Sequence, residues 1–101
     1  MVFNIFKKGD REERAETRAE KPREGLAGLL QMMVEKLVDN PDDVEVKEVE
    51  GESSTILELR VNEDDMGKVI GKKGRIIKSL RVVIRAAAVH QGKNVSIELL
   101  K

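Results

Sequence analysis

Residues 69–77 read Val-Ile-Gly-Lys-Lys-Gly-Arg-Ile-Ile, two glycines separated by two lysines with isoleucine on either flank. Gly71 and Gly74 lack Cβ atoms, so the turn can take conformations closed to other residues, and a sugar-phosphate chain can lie against the main chain. Lys72 and Lys73 supply charge there. A helix is predicted to start near Arg75; its first N–H groups are unpaired and stand at the positive end of its dipole, where an anion is favoured. The stretch is no Walker A loop, because GxxxxGK followed by Ser or Thr is missing. Nor is it a dinucleotide fingerprint: GxGxxG is absent, and a helical stretch rather than a strand precedes it. The plainer alternative is a solvated helix-to-helix connection in which a glycine closes the first helix.

Working outward, Asn62 and Asp64 are candidate N-caps for a short helix leading through Met66, Val69 and Ile70 into the glycine turn. Asp64 and Asp65 stand side by side, and capping accounts for them better than acid chemistry. After the turn, Ile77, Leu80, Ile84 and Ala87 recur at helical spacing, so this helix buries one face and ends near Gly92. His90 lies at its end, placed to pair with unsatisfied carbonyls rather than to act in catalysis or hold a metal. Val95, Ile97 and Leu99 alternate as a closing strand.

Upstream, Leu57, Leu59 and Val61 alternate as a strand, and Gly51 to Ser54 supply the turn before it. Val44, Val46 and Val49 mark another strand, with an irregularity expected where the step from 46 to 49 breaks the alternation. Leu26, Leu29, Leu30, Met33 and Leu37 predict a helix over Gly25 to Asn40, stopped by Asn40-Pro41. Met32, Val34 and Val38 widen its apolar arc, as either core or a subunit contact. The predicted order is helix, strand, strand, helix, glycine loop, helix, strand, in a domain spanning 25–101. Residues 1–24, with seven basic and six acidic side chains, read as a charged, flexible extension.

The net charge of zero conceals an uneven distribution. Between Gly67 and Lys93 stand eight basic residues and no acid, whereas the 12 carboxylates from Glu35 to Asp65 face only Lys36, Lys47 and Arg60. Such a distribution steers a polyanion toward the glycine turn. Lys78, Arg81 and Arg85 share one helical stripe, which is either a nucleic-acid contact or simply a wet face. The 101-residue chain suits one small domain, and the absence of cysteine with a single histidine argues against a disulfide framework or a metal centre. No apolar run approaches the ~20 residues of a membrane span, and a soluble, cytoplasmic protein is expected. Both phenylalanines, Phe3 and Phe6, lie in the extension, so the domain has no aromatic platform of the kind on which RRM, cold-shock and OB readers stack bases.

The spacing Ile70-Gly71-x-x-Gly74-x-x-Ile77, with a predicted helix on each side, resembles the KH domain, whose GxxG loop clamps about four nucleotides of single-stranded nucleic acid. The element order resembles its type II arrangement, an α+β fold with three helices on one face of a three-stranded sheet. The stretches Leu37–Asp42, Thr55–Val61 and Asp65–Arg75 are similar to the small bacterial single-KH proteins called KhpA, over about residues 26 to 100. That resemblance implies RNA binding as an RNA chaperone, dimerisation, pairing with a larger KH-containing partner called KhpB, and effects on cell-wall synthesis and cell length.

The expected mechanism is binding without turnover and without a cofactor. Gly71 and Gly74 permit close approach; Lys72, Lys73 and Arg75, with Lys68 and Lys78, neutralise phosphates; Val69, Ile70 and Ile77 form the apolar wall on which bases rest. A protein-interaction module and a ribosome-assembly factor are the competing classes. An enzyme is not expected, since no nucleophile-base pair or metal-ligand cluster is present. RNA and single-stranded DNA both stay open as ligands.

Overall fold

The computed structural model describes residues 21–101. Helix α1 (Gly25–Leu37) is followed by a 3₁₀ turn at Pro41–Asp43, strands β1 (Glu45–Glu50) and β2 (Thr55–Arg60), and a second 3₁₀ turn at Glu63–Asp65. Helix α2 (Met66–Ile70), the glycine turn, helix α3 (Arg75–His90) and strand β3 (Val95–Leu99) complete the α+β order predicted from the residues. The sheet order is β1-β2-β3. The β1–β2 pair is antiparallel and β2–β3 parallel, the latter because the whole α2–α3 unit crosses over between them.

Alternation assigns the two faces of the sheet. Val46, Leu57, Leu59, Val95 and Ile97 are buried against the helices, with Leu30, Val34, Val69, Leu80 and Ile84 closing the core from the other side. On the opposite face Glu45 stands across from Arg60 and Lys47 across from Glu58, opposite charges in register.

The expected irregularity in β1 is absent, because the pairing runs unbroken from Glu45↔Arg60 to Glu50↔Thr55. Val46 and Val49, an odd number of residues apart, simply lie on opposite faces: Val46 is in the core, and Val49 is exposed beside Ile56. Helix α1 stops at Leu37, short of the predicted Asn40, since Val38 is extended and Pro41 opens the 3₁₀ turn instead of ending the helix. Within its wide apolar arc, Val34 is core whereas Met32 is half exposed. In α3 Ala87 packs half-buried against the core as expected, and Ala88, one full four-residue step after Ile84, is buried beside it. His90 does not close that helix. Its last carbonyls are taken by backbone N–H groups, Lys93 to Ala88 at 2.8 Å and Gly92 to Val89 at 2.9 Å, a Schellman arrangement with Gly92 at φ 71°.

Residues 21–24 already belong to the packed structure. The Lys21 ammonium donates to the carbonyls of Pro41 and Asp42, and Arg23 donates to both oxygens of Glu35 at 3.0 and 3.2 Å. Gly28 of α1 lies so close to this segment that a Cβ there would stand 2.5 Å from the Arg23 carbonyl carbon.

Candidate nucleic-acid interface

The approach to the glycine turn is fixed by side chains from two directions. Asn62 accepts a hydrogen bond from the Asp64 N–H at 2.8 Å and so caps the 3₁₀ turn, as expected of it. Asp64 itself is exposed and no cap. Asp65 is the buried one. Its carboxylate accepts from the backbone N–H of Asp39 (3.2 Å), from that of Asn40 (3.0 Å) and from the Asn40 side-chain amide (3.0 Å). It thereby ties the base of α2 to the chain leaving α1. Burial pushes this carboxyl up, but the Asn40 amide, the two backbone donors and the nearby Lys68 charge outweigh it and hold it below its ordinary value.

The turn combines three residues of positive φ: Gly71 (φ 78°, ψ 174°), Lys73 (φ 59°, ψ 25°) and Gly74 (φ 72°, ψ 20°). It is closed by Gly71 N–H to Gly67 O at 2.9 Å and Gly74 N–H to Gly71 O at 3.1 Å. Gly71 is required for a reason beyond access, since a Cβ there would meet the Ile76 Cγ1 at 2.6 Å, in a conformation that is almost glycine's alone. At Gly74 nothing lies within 4 Å of where a Cβ would be, so that side is open to an incoming chain. Lys73 is a lysine in left-handed conformation, which costs about 1–2 kcal/mol. Sequence spacing did not single it out in this respect.

Around the turn Lys72, Lys73, Arg75 and Lys78 are exposed, and none forms an ion pair among the described residues. No side chain caps α3 at its N-terminus and no acid occupies its first turn, which leaves the positive end of a 16-residue helix open. Lys68 is different: its ammonium meets Asp39 at 3.1 Å, and that hydrogen bond and charge raise its pKa.

The apolar wall is narrower than the sequence led us to expect. Val69 is 0% exposed and Ile77 7%, because α2 and α3 turn these side chains inward to fill the core beneath the turn. They support the turn instead of facing a ligand. Ile70, at 37%, does reach the surface. Ile76, absent from the predicted wall, is half-buried and packs on Gly71; its helical phase, one position off the buried Ile77, was the available signal. Among the described residues no group of three His, Cys, Asp or Glu is placed to hold a metal, and no helix is long and apolar enough to cross a membrane.

The fold is like part of a crystal structure of Era from Aquifex aeolicus, with a TM-score of 0.55 at 23% identity over 73% of this chain and 29% of that one. Sequence similarity is much closer elsewhere. RNA-binding protein KhpA of Clostridium acetobutylicum is 57% identical over 72 residues, 71% of this chain and 96% of the relative. RNA-binding protein KhpA of Caldanaerobacter subterraneus is 49% identical over 75 residues, covering 74% of this chain and all of the relative. The family model "KhpA/KhpB, KH domain" matches residues 27–99, from the first turn of α1 to the end of β3. With the α-β-β-α-turn-α-β order, the left-handed glycine turn and this match over most of its length, the chain belongs to the KhpA/KhpB KH-domain family.

Proposed function

We propose that this protein binds single-stranded RNA, with the turn Gly71–Gly74 and the first turn of α3 as a phosphate clamp. The observation that carries this is the clustering of four exposed, unpaired cations on a left-handed glycine turn in front of an uncapped helix. Relatives named for RNA binding support it. Lys72, Lys73, Arg75 and Lys78 neutralise phosphates, Gly74 lets the backbone come close, and Ile70 offers an apolar edge to a base. Lys68 joins only by giving up Asp39. A single groove of this kind holds few nucleotides, so affinity is weak unless sites are linked. That suits a cytoplasmic RNA chaperone working as a dimer or beside a KhpB-like partner, with effects on cell wall and cell length; the family resemblance supports that part of the reading.

A second reading, a protein-interaction module, draws on Val82 (62% exposed), Val83 (45%) and Val89 (69%) on the outer side of α3. One experiment separates the two. Binding of labelled single-stranded RNA is measured at two salt concentrations for the native chain and for Lys72→Asp/Lys73→Asp, with circular dichroism reporting the fold and a DNA strand of the same sequence in parallel. Salt-sensitive binding by the native chain that is lost in a folded variant is the expected result. Unchanged binding, or none by either protein, moves the function to the interaction module.

A further inference from the structure

We propose that the phosphate path does not stop at the glycine turn but continues along α3 over Lys78, Arg81 and Arg85. The ligand is the sugar-phosphate backbone of nucleotides flanking those held in the clamp, and the inference rests on the clamp reading above. From Arg75 to Arg85 the helix rises about 15 Å. The three side chains follow one another at steps of three and four residues, so they share one line on its surface. On a helical projection that line runs between the buried face carrying Ile77 and Ala88 and the exposed valines Val82 and Val89. It begins beside Arg75 at the turn.

The line has no acid beside it on its own helix or on the turn before it. Two cations elsewhere are held by acids, Arg23 by Glu35 at 3.0 Å and Lys68 by Asp39 at 3.1 Å, and Arg60 and Lys47 have Glu45 and Glu58 as cross-strand neighbours. Lys78, Arg81 and Arg85 form no ion pair or side-chain hydrogen bond among the described residues, and no acid occurs between Gly67 and Lys93 to provide one. Like charges at such spacing repel one another along a helix, and an anion laid across them removes the repulsion. Arg81 is half-buried, and its guanidinium, a forked donor, suits phosphate oxygens. Lys78 already serves the clamp, and beyond it Arg81 and Arg85 serve about two further phosphates, without regard to base identity.

The test uses the full chain and oligouridylates of four, six, eight and ten nucleotides, followed by NMR amide shifts and by affinity at two salt concentrations. With the 4-mer, shifts are confined to residues around 68–78; with the 8-mer they extend to Arg81 and Arg85, and affinity rises about tenfold. In Arg81→Gln/Arg85→Gln the 4-mer binds as in the native chain, while the gain with length disappears and the 8-mer salt slope falls by about 1.4. Arg85→Gln alone, at an exposed position, reads the same loss at about half that size if the double variant does not fold. Shifts that stay at the turn for every length, or a variant with native length dependence, overturn the track and leave the clamp standing. A 4-mer that shifts nothing near Gly71–Gly74 overturns the clamp itself.

Discussion

Asp65 shows how one side chain can do more for the site than its neighbours in sequence suggest. Its oxygens accept three hydrogen bonds from Asp39 and Asn40, residues that lie about 25 positions earlier. Because its pKa is held below the unfolded value, its contribution to stability is fully present above the unfolded pKa of about 3.9 and is lost as the pH falls through the folded value. Asp65→Asn puts an amide against donors and removes that contribution. The gap in urea midpoint between native protein and variant is therefore expected to be widest near neutral pH and to close as the pH falls from about 4 toward 2. A gap that stays constant with pH would sink this account. Asn62 was legible as a cap, since a cap bonds two residues ahead, and it does so. The partners of Asp65 were not, since nothing local announces a bond across that distance.

At the scale of elements, two glycines within helices separate packing from propensity. Gly67 in α2 has an ordinary helical backbone with nothing within 4 Å of a Cβ position. Gly67→Ala is expected to stabilise the protein by about 0.5–1 kcal/mol, as alanine normally does in a helix. Gly28 in α1 faces the Arg23 backbone at 2.5 Å. Gly28→Ala must push residues 21–24 away, and a loss of about 1–3 kcal/mol is expected despite the better propensity. Urea unfolding of the two variants checks both signs; the same sign for both would show that the segment does not press on α1. The helices and strands themselves were legible from periodicity because each has one buried face: Leu26, Leu30 and Val34 in α1, Ile77, Leu80 and Ile84 in α3, Val95 and Ile97 in β3. Their ends were less so. The exit from α1 depends on Val38 turning extended before the proline is reached.

For the whole molecule, the zero net charge sums two unlike regions, the basic α2-turn-α3 unit and the acidic stretch from the end of α1 to Asp65. The crossover from β2 to β3 presents the basic unit as one continuous feature of the surface. We place residues 21–24 with the folded unit, ahead of the 24/25 division drawn from composition, because Lys21 bonds to the Pro41 turn and Arg23 to Glu35. A chain starting at Lys21 keeps those bonds and is the reference. One starting at Gly25 also loses the Glu24 carbonyl that receives the Gly28 N–H, and with about 1 kcal/mol lost should melt roughly 4–8 °C lower. Calorimetry of the two chains decides; equal melting temperatures would return the boundary to residue 25.

By itself the sequence determined the order of elements, the place of the glycine turn and the run of cations behind it. Each of these is a local pattern, fixed by side-chain period, by Gly-x-x-Gly and by the absence of acid over 27 residues. Only the tertiary structure decided which of those residues face outward. Val69 and Ile77 each stand only one residue further from the turn than Ile70 and Ile76, yet the packing of α2 and α3 on the sheet sends the first pair into the core and leaves the second at its surface. Burial depends on what lies opposite a side chain, and no stretch of the chain contains that information alone.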